Sequence, residues 1–305
     1  MTQDIIAGYT DSAGGRDALA LGVVLADLDD TSALTVTSAY LYNPPVESSE
    51  PAGWRKDLKA RADADLDQAR ATLGARPRTT VVPCCGVSPA DGLHRLAEEL
   101  DASTIVVGVS HTHGLGRIQL GSVTEQTIHG APCAVAVAPA NYADRAGRRI
   151  ESVAVAFNGS EEAWFALLSA GEIAKAAGAR LTILGAVEQA AVWYGSYVGP
   201  DDVAAVRTIV RDELTVAAGE LRGVRDVRIE VLEGMPVRAL AEASAGEDLL
   251  VLGSRGFGPM RRVLLGSVSS HLVRDASCPT VVVPRGVARH PGDGRATVAA
   301  GAVPV

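Results

Sequence analysis

Short runs of β-branched and aliphatic residues alternate along this chain with longer amphipathic stretches. Such runs are typical of buried strands, and the longer stretches are typical of helices that cover a sheet. The alternation predicts an α/β fold in which a doubly wound parallel sheet carries helices on both faces. In the first half the predicted strands are 4–9, 34–40, 78–83, 104–109 and 134–138, and the predicted helices are 15–27, 52–73, 89–99 and 121–129. In the second half the predicted strands are 151–157, 180–187, 227–232, 248–253 and 280–283, with four helices between them.

An internal repeat organises the chain. Residues 104–139 and 249–284 are two versions of one element, in which Gly108 matches Gly253 at an offset of 145. At the same offset Gly121, Ser122, Cys133 and Pro139 have identical partners. The segments 5–26 and 153–174 also match, with Ser12 opposite Ser160 at an offset of 148. The repeat predicts a first domain over 1–140, a linker over 141–150, a second domain over 151–286 and a disordered tail over 287–305.

Composition narrows the class of protein. The 305 residues suffice for two domains of ordinary size. Hydrophobic residues make up 47% and aromatic residues only 4%, so aliphatic side chains must build the cores. The formal net charge of −8, with no long run of Lys or Arg, disfavours nucleic acid as a partner. Any anionic ligand must therefore be held by local groups.

The four cysteines are Cys84, Cys85, Cys133 and Cys278, and their spacing matches neither a metal-binding pair nor a secreted disulfide framework. A reducing cytoplasm fits this pattern best. Cys133 and Cys278 precede matching apolar runs and are interpreted as packing residues, whereas the adjacent Cys84 and Cys85 are either structural thiols or a redox pair. The start of the chain is polar and no apolar run reaches about 18 residues, so we expect neither a signal peptide nor a membrane span.

A glycine loop follows the fourth strand of the second half. Gly253 and Gly256 are separated by two residues, and nine more precede Gly266 and Ser267. A helix is predicted to start near Gly266, so backbone N–H groups at the start of this helix would face the carboxyl edge of the sheet and attract phosphate. The alternative is that these glycines only end a strand and that the serine only caps a helix. The candidate phosphate-binding residues are Gly253, Gly256, Gly266, Ser267, Val268 and Ser269.

The paired copies, and GSRGFGPMRRVLLGSVSSHLVRDASCPTVVVP above all, resemble the universal stress protein family, whose ATP-binding members carry the G-x2-G-x9-G-S/T loop. The resemblance extends from residue 3 to residue 285. It implies two tandem Rossmann-like domains of the adenine nucleotide alpha-hydrolase type. Each would hold a five-stranded parallel sheet, and the last strands would pair across a pseudo-two-fold axis so that one chain mimics a dimer. The implied ligand is ATP or a related adenine nucleotide, with a divalent ion such as Mg²⁺.

This chain departs from the family's pattern at several positions. The family's Asp at the end of the first strand, which contacts the nucleoside, is replaced by Thr10 in the first half and by Asn158 in the second. Val187 matches a position that touches the base in the family, and it can equally be a core residue. In the first half His111 occupies the position of the second motif glycine. The weaker site of the first half would comprise Thr10, Gly108, Gly121, Ser122 and Val123, so nucleotide is expected to occupy the second half first.

Two functions remain open. The first is a nucleotide-binding stress or signalling protein that acts through conformation or through an unknown protein partner. The second is a nucleotide-free structural or chaperone-like module that forms oligomers. The loop lacks the Lys of a Walker sequence and the chain lacks GxSxG and HExxH motifs, so we expect no catalysis beyond slow ATP hydrolysis. His111 and His113 lack a third zinc ligand at suitable spacing, and no metal site is predicted. Asp introduced at 253 or 266 is expected to abolish ATP binding while folding largely survives.

Overall fold

A computed structural model of the protein describes residues 4–42, 54–109, 121–145, 147, 149–188, 192–193, 196–197, 200–254 and 266–284. The predicted tail over 287–305 lies outside these residues. The first half contains strands β1 (Ile5–Gly8), β2 (Leu34–Thr37), β3 (Ala39–Leu41), β4 (Thr79–Val81), β5 (Cys84–Gly86), β6 (Thr104–Gly108) and β7 (Ala134–Ala138), and helices α1 (Ala13–Ala26), α2 (Trp54–Leu73), α3 (Pro89–Glu99) and α4 (Ser122–Ile128). The second half contains strands β8 (Ser152–Ala156), β9 (Arg180–Val187), β10 (Val192–Trp193), β11 (Ser196–Tyr197), β12 (Val227–Glu233), β13 (Leu249–Gly253) and β14 (Thr280–Val283), and helices α5 (Glu161–Ala177), α6 (Pro200–Gly219), α7 (Pro236–Ala243) and α8 (Ser267–Asp275).

The main sheet has ten strands in the order β12-β9-β8-β13-β14-β7-β6-β1-β2-β4. Five strands come from each half, each predicted strand contributes to this sheet, and the α/β prediction is confirmed. Of the predicted strand 34–40, only the part Leu34–Thr37 (β2) lies in this sheet. All neighbouring strands are parallel except β7 and β14, which pair antiparallel through Val135–Val137 and Thr280–Val282. The two halves are therefore related by a pseudo-two-fold axis at this central pair. Two small pairs, β3 with β5 and β10 with β11, were not predicted.

The strands are apolar along their whole length because both faces of the sheet are covered. In β1, Ile5 and Ala7 belong to the core under α1 and α2, whereas Ile6 belongs to the core on the opposite face together with Leu93 of α3. This alternation follows from the period of two in a strand. Parallel sheets of this kind are buried on both faces, which explains the continuous aliphatic runs in the sequence.

The segment that joins the two halves is fixed at both ends. The buried carboxylate of Asp17 in α1 accepts hydrogen bonds from the backbone N–H groups of Asn141 (3.1 Å) and Ala143 (2.8 Å). The guanidinium of Arg145, which ends a 3-10 turn over Ala143–Arg145, donates to the carbonyl of Ser277 at 3.3 Å. The predicted linker therefore contacts the first half through α1 and the second half just before β14.

All four cysteines are free thiols. Cys133 and Cys278 are buried immediately before β7 and β14, and burial raises the pKa of each thiol to about 12. Cys84 and Cys85 are consecutive residues of β5, and consecutive side chains of a strand point to opposite faces. This arrangement disfavours a redox pair between them. Burial also raises the pKa of Cys84.

Within the part of the chain that the structure describes, no helix combines the length and the hydropathy that a bilayer span requires.

Replacing Asp17 by Ala should lower the free energy of unfolding by about 3 kcal/mol, because two backbone N–H groups lose a charged acceptor. Urea unfolding monitored by circular dichroism measures this loss. Asp144→Ala is the matched control, since Asp144 is exposed in the same segment and makes no hydrogen bond or ion pair with a described residue. Equal stability of the two variants would contradict the role given to Asp17.

The two buried thiols should make stability fall at alkaline pH. Unfolded thiols ionise near pH 9.0, whereas Cys133 and Cys278 keep their protons to about pH 12 in the folded state. Their contribution is thus fully present below pH 9 and is lost as pH rises towards 12, by up to ~1.4 kcal/mol per pH unit for each thiol. Urea unfolding at pH 8, 9 and 10 should show a smaller loss in the Cys133→Ala/Cys278→Ala double variant. Parallel losses in parent and variant would refute the assignment.

Candidate functional site

The candidate site lies where the strand order of the second half changes direction. Strand β8 lies between β9 and β13, so connections leaving β8 and β13 diverge to opposite faces of the sheet. Helix α5 packs on one face and α8 on the other, as the two separate cores show. In open α/β sheets ligands bind in the crevice that opens at such a point, beyond the carboxyl ends of the strands. Asn158 follows β8 and Gly253 ends β13, so both flank this crevice.

Helix α8 begins without a side-chain cap. Gly266 is its N-cap residue, with φ −70° and ψ 163°, and no side chain accepts a hydrogen bond from the first turn. In contrast, α5 begins behind Ser160, whose hydroxyl accepts from the N–H of Ala163 at 3.3 Å. The N–H groups of the first turn of α8, at residues 267–269, therefore lack a partner among the described residues. They combine with the helix dipole to form a positive end at the crevice.

A hydrogen bond holds the start of α8 against the end of β13. The buried hydroxyl of Ser269 donates to the carbonyl of Gly253 at 3.0 Å. In the first half the hydroxyl of Thr124, 145 positions earlier, donates to the carbonyl of Gly108 at 2.7 Å. Since this bond uses the hydroxyl hydrogen of Ser269, the residue can serve an anion only through its backbone N–H.

Glycine is required at 253 by packing between a strand and a helix. A Cβ atom at this position would lie 2.6 Å from the carbonyl oxygen of Glu162 and 2.7 Å from its carbon, at the start of α5. A Cβ on Gly108 would collide in the same way with the backbone of Gly14 at the start of α1. The expectation that Asp at 253 spares folding is therefore wrong. Gly266 has a φ of −70°, so its backbone conformation does not require glycine.

Asn158 is engaged in the turn that leads into α5. Its Oδ1 atom accepts hydrogen bonds from the N–H of Ser160 (3.2 Å) and from the hydroxyl of Ser160 (2.7 Å). Its amide NH₂ group makes no hydrogen bond with a described residue. Asn158 thus offers the crevice a donor, whereas a carboxylate at this position would offer an acceptor. Beside it, Phe157 packs edge-to-face on Trp164 with ring centroids 5.0 Å apart.

Val187 lies one strand away from Asn158. Val187 is the last residue of β9. At the end of β8, Ala156 pairs with Leu184, and β9 continues for three residues beyond that pair. The side chain of Val187 is buried, and its carbonyl accepts from the N–H of Gly234 at 2.9 Å. The structure therefore places Val187 at the predicted edge, with a side chain in the core.

The equivalent crevice of the first half is acidic. The carboxylate of Asp65 in α2 accepts from the N–H of Asp11 (3.2 Å) and from the hydroxyl of Ser38 (3.4 Å), and Asp11 pairs with Arg16 at 3.0 Å. Burial and, to a smaller extent, the Asp11 carboxylate raise the pKa of the nearby Tyr9. Sequence reasoning did not identify Asp11 or Asp65. Arg16 offsets the charge of Asp11, and the remaining negative charge at this edge disfavours a phosphate group.

The remaining first-half candidates surround the same crevice. Gly108 ends β6, and Gly121 precedes α4 without a side-chain cap, as Gly266 precedes α8. Ser122 and Val123 form the first turn of α4, where both are exposed, and Thr10 follows β1 with its hydroxyl 3.0 Å from that of Ser12.

Gly256, His111, His113 and the side chain of Ser267 lie outside the part of the chain that the structure describes. Among the residues that the structure does describe, no group of three or more His, Cys, Asp and Glu side chains could hold a metal ion.

Comparison with known proteins gives a consistent assignment. A model of the universal stress protein family matches residues 1–139 and 149–284. A universal stress protein of Mycobacterium tuberculosis (strain H37Rv) is 25% identical over 291 residues, which cover 92% of this chain and 99% of the relative. A universal stress protein of Thermus aquaticus is 35% identical over 136 residues, which cover 44% of this chain and 98% of the relative. The crystal structure of a universal stress protein from Archaeoglobus fulgidus has the same fold, with a TM-score of 0.67 at 20% identity over 93% of this chain and 98% of that chain.

Gly253→Ala should destabilise the protein by about 1–3 kcal/mol, because the added methyl group has no space beside the backbone of Glu162. Thermal or urea unfolding measures the change. Gly246→Ala is the control, since a Cβ there meets nothing within 4 Å and its φ is not in the left-handed region. A Gly253→Ala variant as stable as this control would show that the close approach of β13 to α5 does not constrain the residue.

Proposed function

The chain belongs to the universal stress protein family, and we propose that its second half binds ATP or a related adenine nucleotide at the carboxyl edge of β8 and β13. The observation that carries this proposal is the start of α8, where first-turn N–H groups without a side-chain cap lie beside the end of β13 at the point where the strand order reverses. We assign one domain to 1–140 and one to 151–286, with 141–150 between them.

The donors of α8 suit a polyphosphate. Backbone N–H groups at 267–269 and the helix dipole by themselves favour an anion. A Mg²⁺ ion would take most of its ligands from the phosphates and from water, because Mg²⁺ usually keeps several waters and binds through substrate phosphates. Gly256 and the Ser267 hydroxyl stay part of the proposed cradle. Asn158 and Val187 would face the nucleoside from the other side of the crevice.

We expect the second half to bind more tightly than the first. In the first half the carboxylate of Asp11 lies at the edge of β1, whereas Gly159 takes its place in the second half. Helix α4, with seven residues, also has a smaller dipole than the nine-residue α8.

The output we propose is a change of conformation or partner rather than turnover. Helix α8 runs directly into β14, and β14 pairs with β7 of the other half. A ligand bound at the start of α8 therefore contacts the helix that precedes β14, the strand that joins the two halves. The four free thiols are consistent with a reducing cytoplasm, which we propose as the location.

Isothermal titration with ATP and Mg²⁺ should give one tight site per chain, with a dissociation constant in the micromolar range. This corresponds to a binding free energy on the order of −8 kcal/mol. Gly266→Asp should weaken binding by about 100-fold or more, because Asp is a favoured N-cap residue whose carboxylate would take the N–H groups proposed for phosphate. The same cap should leave the fold intact. The matched control is Gly121→Asp at the start of α4, which should leave the tight site unchanged.

Three outcomes would contradict the proposed nucleotide site at the start of α8. Loss of binding in Gly121→Asp but not in Gly266→Asp would move the site to the first half. Two sites of equal affinity would remove the asymmetry. No heat and no thermal shift with millimolar ATP would remove nucleotide binding altogether and favour the nucleotide-free structural or chaperone-like module.

A further inference from the structure

The proposed nucleotide site needs a hydrogen-bond acceptor for the nucleoside. Ribose hydroxyls and the adenine amino group are donors, and α8 supplies only N–H donors to the other end of the ligand. The side-chain oxygen of Asn158 already accepts two hydrogen bonds from Ser160, so the residue after β8 cannot readily supply this acceptor.

Glu213 of α6 places a carboxylate beside the loop that follows β8. Its Oε2 atom lies 3.6 Å from the point where a Cβ on Gly159 would be, and Gly159, with φ +75°, directly follows Asn158. The next residue of α6, Leu214, is buried against Gly185 of β9, which fixes the side of the helix on which Glu213 lies. Glu213 is exposed and makes no hydrogen bond or ion pair with any described residue.

In the first half the residue equivalent to Glu213 contacts the loop after the first strand. Asp65 of α2 is 148 positions before Glu213, the offset that relates Ser12 to Ser160. Its carboxylate accepts from the backbone N–H of Asp11 and from the hydroxyl of Ser38. In each half an acidic side chain of the second helix therefore lies beside the loop that follows the first strand. In the first half internal donors occupy that carboxylate, and in the second half the described residues leave it available.

We propose that Glu213 is a specificity-determining residue of the second-half site, where its carboxylate accepts hydrogen bonds from the hydroxyl or amino groups of the nucleoside while the start of α8 holds the phosphates. The proposal rests on the nucleotide site proposed above. It assigns the nucleoside end of the ligand to α6, on the face of the sheet opposite α8. A ligand without a nucleoside would gain nothing from Glu213.

The test compares ATP with inorganic triphosphate on the parent, Glu213→Gln and Glu220→Gln by isothermal titration. Glu213→Gln should weaken ATP binding about tenfold, because a neutral amide oxygen replaces a carboxylate as the acceptor of the hydrogen bond. Triphosphate should bind equally well or slightly more tightly, because removal of a negative charge favours an anion. Glu220→Gln, an exposed Glu just after α6, removes the same charge away from the crevice and should change neither affinity. Glu213→Asp should bind ATP better than Glu213→Gln.

The proposal is overturned if Glu213→Gln binds ATP as the parent does, or if ATP and triphosphate weaken by the same factor. Parent protein that binds triphosphate as tightly as ATP would also overturn it, while leaving the phosphate cradle of α8 standing. Parent protein that binds neither probe would refute the nucleotide site, and the role of Glu213 with it.

Discussion

The antiparallel pairing of β7 with β14 is the constraint on which the rest of the structure depends. It joins two five-stranded parallel sheets into one sheet of ten strands, in which each half keeps its own direction. Because the first-half strands of this sheet run parallel to β7 and its second-half strands run parallel to β14, the carboxyl ends of the two sets of strands lie on opposite sides of the sheet. The two crevices therefore cannot share one ligand, and each must be judged on its own residues.

Much of this fold could be predicted because its signals are local. Runs such as 134–138 and 280–283 are apolar along their whole length, as strands covered on both faces must be, and a repeat at a constant offset gives the number of domains without any knowledge of contacts. The features that the sequence did not predict are contacts between segments far apart in the chain. The predicted strand 34–40 divides at Ser38, and its second part, β3, pairs with β5 outside the main sheet. The anchoring of the linker by Asp17 likewise joins residues more than 120 positions apart.

The candidate site could be predicted only in part, for the same physical reason. Spacing along the chain located the residues at the ends of β8, β13 and α8, since these belong to one local motif. It could not show that the Ser269 hydroxyl is used by Gly253, or that Gly253 is glycine because α5 passes close to it. Glu213 was missed because it approaches Gly159 from a helix more than 50 residues away. One signal was present: alignment of the halves at an offset of 148 places an acidic residue opposite Asp65.

Comparison of the halves separates what the scaffold requires from what a ligand requires. The close approach of the fourth strand to the first helix, and the hydroxyl that ties the fourth helix to that strand, occur in both halves, at Gly108 with Thr124 and at Gly253 with Ser269. These residues therefore preserve the fold whether or not a nucleotide binds, and the glycine and hydroxyl positions of the motif are not by themselves a sign of nucleotide binding. The halves differ in the residues that line the crevice, where Asp11 stands opposite Gly159. Among the described residues, the loop after the first strand differs between the two copies while the shared sheet is kept. This loop and the helix that reaches it are therefore the places from which ligand preference should be inferred.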